Sequence, residues 1–502
     1  MDARKLKIAT LAAVFILLTL AIPTHAQTDL PLLTPVEGEI ALGLTNQWTF
    51  SAVSGAVLSF AVEAEDDLDP AMVLTDSSGR AVLSSDDYNY PDSLNPLLEA
   101  VTMPRTDTYT LTVAGYNNTA GTYQLTMLPG YGVSAYSDDF TTTQWQTLGP
   151  TLTAQRSNGA LSLSSSGGGQ AAAFSSATDA TFGDFYAQAQ VLNISSAGSW
   201  TVGMALRRQG ESYYLLSINS EGSWRFSLVQ DGEERVIHDW SPHPAIRPGA
   251  TSFSIGVMAS GVGYDFFYNS AYIGAEDDAT LTEPGQIGLT VSAFNAQPSS
   301  ATFDDLVVTT PTLIDGEFVV PQEIQLGDSV QTVQSLRRLH LIAADGQISL
   351  NLPESSVEYA RPGINRFMFG RGVTYTNFAI GATVTLTGAM PGSAGCGLVF
   401  RFTSETNYTI AYIDQTGEYG VSKRTGDTFS PGIYGDNDRL GAGQHQLLIV
   451  ANNNMLYYYI DRQFVGSLEN AAQAGEVGIA VVNFESNSTS CHYSNFWLWQ
   501  WE

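Results

Sequence analysis

Aspartates crowd one short stretch of this 502-residue chain. Asp66, Asp67, Asp69, Asp76, Asp86 and Asp87 all fall within "EDDLDPAMVLTDSSGRAVLSSDDY". A hard divalent cation is held by several carboxylate oxygens at once, so Asp66, Asp69, Asp76, Asp86 and Asp87 are candidate calcium ligands. The spacing is not that of an EF-hand loop. Aspartate is also the ordinary turn residue between strands, and that reading stands beside the metal one. A second acidic set comprises Asp138 and Asp139 with Asp304 and Asp305. These converge only if the first and last strands of one domain meet, and a cation or plain water would then relieve their repulsion.

Aromatic side chains offer different chemistry. Trp497, Trp499 and Trp501 alternate in the terminal "CHYSNFWLWQWE", and Trp200, Trp224 and Trp240 sit farther upstream. Indoles that face solvent stack on sugar rings; indoles that face a core fill it. All six are candidate ligand-binding residues. Catalytic patterns are thin: no H-E-x-x-H, no G-x-S-x-G and no Glu-x-Asp-x-Glu strand occurs. No catalytic residue is assigned, and a hydrolase would have to draw its carboxylates from separate strands.

The formal net charge is −29, from 50 acidic and 21 basic residues. Such a surface repels nucleic acid and anionic lipid, so neither is an expected partner. The N-terminus joins Arg4, Lys5 and Lys7 to the short apolar run "IATLAAVFILLTLAI" and then to small residues Thr24 and Ala26. This pattern predicts a signal peptide over residues 1–26, a secreted or cell-surface mature chain, and no membrane span within it. Cys396 and Cys491, the two cysteines, then reach a compartment where disulfides persist.

The elements that must position these residues read as strands nearly throughout. Runs such as "YTLTVAGY", "FYAQAQVLNI" and "LYYYID" carry β-branched and aromatic residues between Gly, Asn, Asp and Ser turns, and helical periodicity is hard to find. The expected fold is all-β: three antiparallel β-sandwich, jelly-roll-like domains in tandem over 31–129, 136–310 and 315–502. In the first, the "LDP" turn, "DSSG", "SDDY" and the paired "TYTLTV" and "GTYQL" strands resemble the bacterial pre-peptidase C-terminal domain. Some members of that family bind calcium, and members accompany secreted hydrolases. Asp107 departs from the glycine usual in that family before the Thr-Tyr-Thr strand.

The later two domains are an internal repeat. "SYYLLSINSEGSWRFSL" parallels "NYTIAYIDQTGEYGVSK", and "EPGQIGLTVSAF" parallels "QAGEVGIAVVNF". With "DDFTTTQW" and "ATFDDLVV", these copies resemble concanavalin A-like, laminin-G-type jelly rolls. That resemblance implies ligand capture on a sheet face or a loop rim. Aligning the copies places Val202 on Cys396 and Ala301 on Cys491. Two apolar positions of one copy thus become the two cysteines of the other, and a disulfide between Cys396 and Cys491 is the expectation. The same alignment puts Phe496 and Leu498 on the core face and the tryptophans on the opposite face. The parity then requires a bulge near Asp304-Asp305 and Ser494-Asn495. The expected function is a secreted or surface binding protein for glycan or protein ligands. The alternatives are a carbohydrate-active hydrolase and a structural envelope component.

Overall fold

A computed structural model describes residues 28–502 except 66, 150, 167–170, 176–179, 294–297, 388–393, 438–439, 442, 470–472 and 484–487. The expected signal peptide lies outside the described residues. The chain divides into two compact units, Pro23–Val319 and Val320–Glu502. Both are built from sheets that pair antiparallel, apart from the short strand Thr28–Asp29, which runs parallel to its neighbour, and the protein is all-β.

The first unit holds two sandwiches. In the N-terminal one, a five-stranded sheet faces a four-stranded sheet. Strands Asp107–Gly115 and Gly121–Pro129 send Tyr109, Leu111, Val113, Tyr123, Leu125 and Met127 into the shared core, following their period of two. In the next sandwich, an eight-stranded sheet packs on a seven-stranded one. Its core is aromatic-rich: Tyr214, Phe226, Tyr264 and Phe266 touch in a chain of ring contacts with centroids 4.7–5.5 Å apart.

These two sandwiches share an interface of Val57, Ala100, Tyr131, Tyr186, Met258 and Phe267. Gly130 has φ +72°, and a Cβ there would fall 2.1 Å from the Tyr186 Cβ, so only glycine fits at this crossing. Glu99 stands beside it. One carboxylate oxygen accepts from the Gly132 N–H (2.9 Å), the Thr312 N–H (2.8 Å) and the Thr312 hydroxyl (3.0 Å). The segments leading into and out of the second sandwich are thereby gripped by one side chain of the first. Burial pushes the Glu99 carboxyl upward, opposed by these hydrogen bonds.

The second unit repeats the jelly-roll layering with a seven-stranded and a six-stranded sheet. The matched strands keep their irregularities. Pairing steps from Gln188–Val307 to Gln190–Asp304 in one copy and from Gly381–Trp497 to Thr383–Ser494 in the other. Asp305 and Asn495 adopt φ +47° and +49° at the two bulges. The expected bulge is therefore present in both copies, and it turns Phe496 and Leu498 inward.

Cys396 and Cys491 are bonded, with Cα atoms 5.8 Å apart. Their strands, Ala394–Ser404 and Thr489–Trp501, belong to opposite sheets. The bond crosses the core from layer to layer, where the first copy packs Val202 and Ala301.

One α-helix occurs among the described residues, Ser329–Arg338, which strand periodicity did not predict. Asp328 caps it by accepting from the Gln331 N–H. No helix among the described residues is long and apolar enough to cross a membrane.

Candidate functional site

The hairpin formed by Pro70–Thr75 and Ala81–Ser85 builds the acidic site. Its register pairs Met72 with Ser85 and Val73 with Ser84. Asp69 precedes the first strand and Asp86 and Asp87 follow the second, so the hairpin brings all three to one end. Asp69 is fixed from behind: its carbonyl accepts from the Tyr116 N–H (2.7 Å) and the Thr119 hydroxyl (3.1 Å).

One oxygen from each of Asp69, Asp86 and Asp87 lies within 4.8 Å of the others. Among the described residues this is the one such group of three metal-type ligands. Oδ1 of each is buried and has no hydrogen-bond partner. A buried carboxylate oxygen without a donor is costly unless a cation meets it. Burial, then Asp87 and Asp69, push the Asp86 carboxyl up to about 7. Burial and Asp69 push Asp87 up to about 6, and burial raises Asp69. The donor set is hard oxygen only, as calcium requires. Asp66 lies outside the described residues.

Four other aspartates proposed as ligands accept hydrogen bonds elsewhere. Asp76 tightens the hairpin turn, accepting from Ser78 N, Ser78 Oγ and Arg80 N, and pairs with Arg105. Those bonds, led by the Ser78 hydroxyl, hold it down at about 2. Asp138 is buried and accepts from the Trp145 indole N–H (2.9 Å), the Phe140 N–H (2.8 Å) and the Tyr136 hydroxyl (3.2 Å). Asp139 accepts from Thr141 N and Oγ1 in its own turn, and Asp304 accepts from the Asp305 N–H. In the second acidic set Asp138, Asp139 and Asp304 thus accept from an indole and from their own turns, while burial and the nearby Asp304 and Asp139 raise the Asp305 carboxyl.

Five of the six tryptophans are buried. Trp200 and Trp224 belong to the second sandwich's core, where Trp200 stacks on Phe253. Trp497, Trp499 and Trp501 do face away from the sandwich core. The segment after residue 320, including the helix, covers them with Ile324, Val333, Leu336, Leu341 and Ile342. They fill a second core, and no open indole row results. The sequence missed this cover because the helix is short and polar on one side. Trp240 alone is half-exposed, with the Arg225 guanidinium 5.8 Å from its ring centroid.

A tyrosine was overlooked. Tyr434, 55 % exposed, lies on the edge strand Thr428–Asp436 of the six-stranded sheet. It flanks Gly420 together with Tyr412: a Cβ on Gly420 would lie 3.0 Å from each ring. Trp240 occupies the corresponding edge strand of the first copy, Glu233–Pro242. Both copies therefore present an aromatic ring on the same edge strand. The repeat alignment, extended one strand past Gly417, contains this signal.

No protein-family profile matches the chain, and no curated protein does. Solved structures give partial likenesses. A carbohydrate-binding module, CBM66, from Bacillus subtilis is 16% identical, with 34% of this chain and 98% of that one covered and a TM-score of 0.28. The pre-peptidase C-terminal domain of a Bacillus anthracis collagenase is 21% identical over 21% of this chain and 98% of its own, with a TM-score of 0.18. A Bacillus licheniformis beta-glucanase is 10% identical over 36% of this chain and 99% of its own, with a TM-score of 0.28. Scores at this level decide nothing about chemistry, which rests on the residues of this chain.

Proposed function

We propose that this is an exported binding protein whose N-terminal sandwich holds a hard divalent cation, calcium first, at Asp69, Asp86 and Asp87. The observation that carries this reading is the convergence of three carboxylates, one oxygen of each within 4.8 Å of the others, each with a buried Oδ1 that no donor satisfies. A bound cation supplies the missing positive charge and fixes the turn at residues 86–87. Export is supported by the leader-like N-terminus and by a cross-link of the kind that persists outside the cytosol.

The ligand class is a neutral glycan, favoured by Trp240 and Tyr434 on matched edge strands and by an acidic surface that disfavours polyanions. Calorimetric titration with calcium should show saturable binding that Asp86→Asn and Asp87→Asn weaken. Binding of the mature chain to a glycan array should fall when Trp240 and Tyr434 are changed to Ala. Absence of calcium binding at millimolar concentration overturns the cation site, and an array signal indifferent to both ring substitutions overturns the ligand reading.

A further inference from the structure

Ser241, His238 and Glu276 stand in line at the edge of the second sandwich. The Ser241 Oγ is 2.8 Å from His238 Nε2, and His238 Nδ1 is 2.7 Å from a Glu276 carboxylate oxygen. A carboxylate only accepts, so Nδ1 carries the proton donated to Glu276. In the neutral ring Nε2 is then an acceptor, and the Ser241 hydroxyl donates to it. The same hydroxyl also lies 3.2 Å from the Asp239 carbonyl, a longer alternative. The imidazole lies flat on the Trp224 indole, centroids 4.0 Å apart and planes within 7°, which fixes its orientation.

Topology puts the trio where a substrate can reach. Ser241 and His238 are on Glu233–Pro242, the edge strand of the seven-stranded sheet. Glu276 is on Ala271–Asp277, the edge strand of the eight-stranded sheet. The His238 and Glu276 side chains are each 28% exposed.

The repeat shows that the sandwich does not need these groups to close. In the first copy His238 pairs with Phe226, Ser241 with Trp224 and Glu276 with Tyr264. At the same register the second copy has Ile433 on Val421, Gly435 on Tyr419 and Leu468 on Leu456. Ile433 and Leu468 simply join the core. An edge that one copy seals with apolar contacts carries a serine, an imidazole and a carboxylate in the other.

We propose that Ser241 is an activated nucleophile for carboxylic esters, with His238 as its base and Glu276 as the residue that positions His238. Ser241 Oγ adds to the ester carbonyl carbon while its proton passes to His238 Nε2. The tetrahedral adduct collapses, the bond to the alcohol oxygen breaks, and that oxygen takes the proton from His238. Water, giving a proton to His238, then adds to the acyl group, and the bond to Ser241 Oγ breaks as the proton returns to it. A carboxylic acid and an alcohol are released.

A fluorophosphonate probe applied to the full mature chain tests this without knowledge of the natural ester. Peptide mass spectrometry should find the phosphonyl group on Ser241, and p-nitrophenyl acetate should be hydrolysed. Ser241→Ala should abolish both, and His238→Ala should slow labelling by about 10²-fold, the usual share of a general base. Glu276→Gln should slow it at least tenfold, with Glu276→Asp restoring part of the rate. Circular dichroism checks that each variant is folded. An unlabelled Ser241 in folded protein overturns the proposal, as does labelling that survives His238→Ala. Either result assigns the trio to holding two sheet edges together.

Discussion

Removing the cation should invert how the N-terminal sandwich responds to pH. Asp86 and Asp87 are raised to about 7 and about 6 from an ordinary 3.8. Their folded-state affinities for protons exceed the unfolded ones. The contribution of this pair to stability in the cation-free protein is then complete below about pH 4 and is lost as pH rises through about 6 to 7. Carrying Asp86 from 3.8 to about 7 corresponds to about 4 kcal/mol, at about 1.4 kcal/mol per tenfold change in proton affinity. The site is partly open to water, so roughly half of this, ~2 kcal/mol, is the expected net cost. At roughly 2–4 °C per kcal/mol, the melting temperature should fall by roughly 4–8 °C between pH 4.5 and 7.5 in EDTA. Calcium at about 100 times its dissociation constant should return ~2.7 kcal/mol and flatten the curve. Differential scanning calorimetry of wild type and Asp86→Asn across this range is the assay. The variant, with one charge fewer, should be more stable than wild type in EDTA at pH 7.5 and gain less from calcium. Superimposable EDTA curves, or an equal calcium shift in both proteins, would refute the reasoning, because general repulsion within the −29 chain would then suffice.

Two further outcomes concern the scaffold. Glu99→Ala removes three hydrogen bonds to a charged acceptor and leaves two backbone N–H groups without a partner, which should cost about 2–4 kcal/mol. Thermal melts and limited proteolysis near residues 130–132 would register the loss, and Glu99→Gln should cost less. Replacing Cys396 and Cys491 together by Ala opens a loop of sequence separation 95 and should lower the stability of the second unit by about 4–5 kcal/mol in denaturant titrations.

Much of the architecture was legible because period-two patterning is local. Tyr109, Leu111 and Val113 announce their face without reference to any other strand. The cysteine pair was legible because the repeat supplied a second solution to the same packing problem, Val202 with Ala301. That it links opposite sheets was not, since alignment gives equivalence and not layer. The terminal indoles show the same boundary. Their parity followed from Phe496 and Leu498, yet their cover comes from Ile324, Leu336 and Ile342, more than 150 residues away in sequence. Of the acidic stretch, the hairpin brings Asp69, Asp86 and Asp87 together at one end. Asp76 looked the same in sequence but was claimed by a turn and by Arg105, whose approach is a tertiary event. The Ser241, His238 and Glu276 line was invisible because Glu276 comes from a strand that never pairs with the one carrying His238 and Ser241.

Glu99 has a mechanical consequence. Because Gly132 and Thr312 meet at one carboxylate, the 179 residues between them form a side branch of the tether, its two feet pinned together. Tension drawn along the chain from residue 129 toward residue 313 would load the one bond to Gly132 in series with the two to Thr312, alongside the Thr309 hydroxyl's bond to the Pro129 carbonyl and the pairing of Val133 with Thr310, before reaching the rest of the branch. The jelly roll can thus hang unstretched on a pulled line for as long as Glu99 and the Thr309 hydroxyl keep its two feet together.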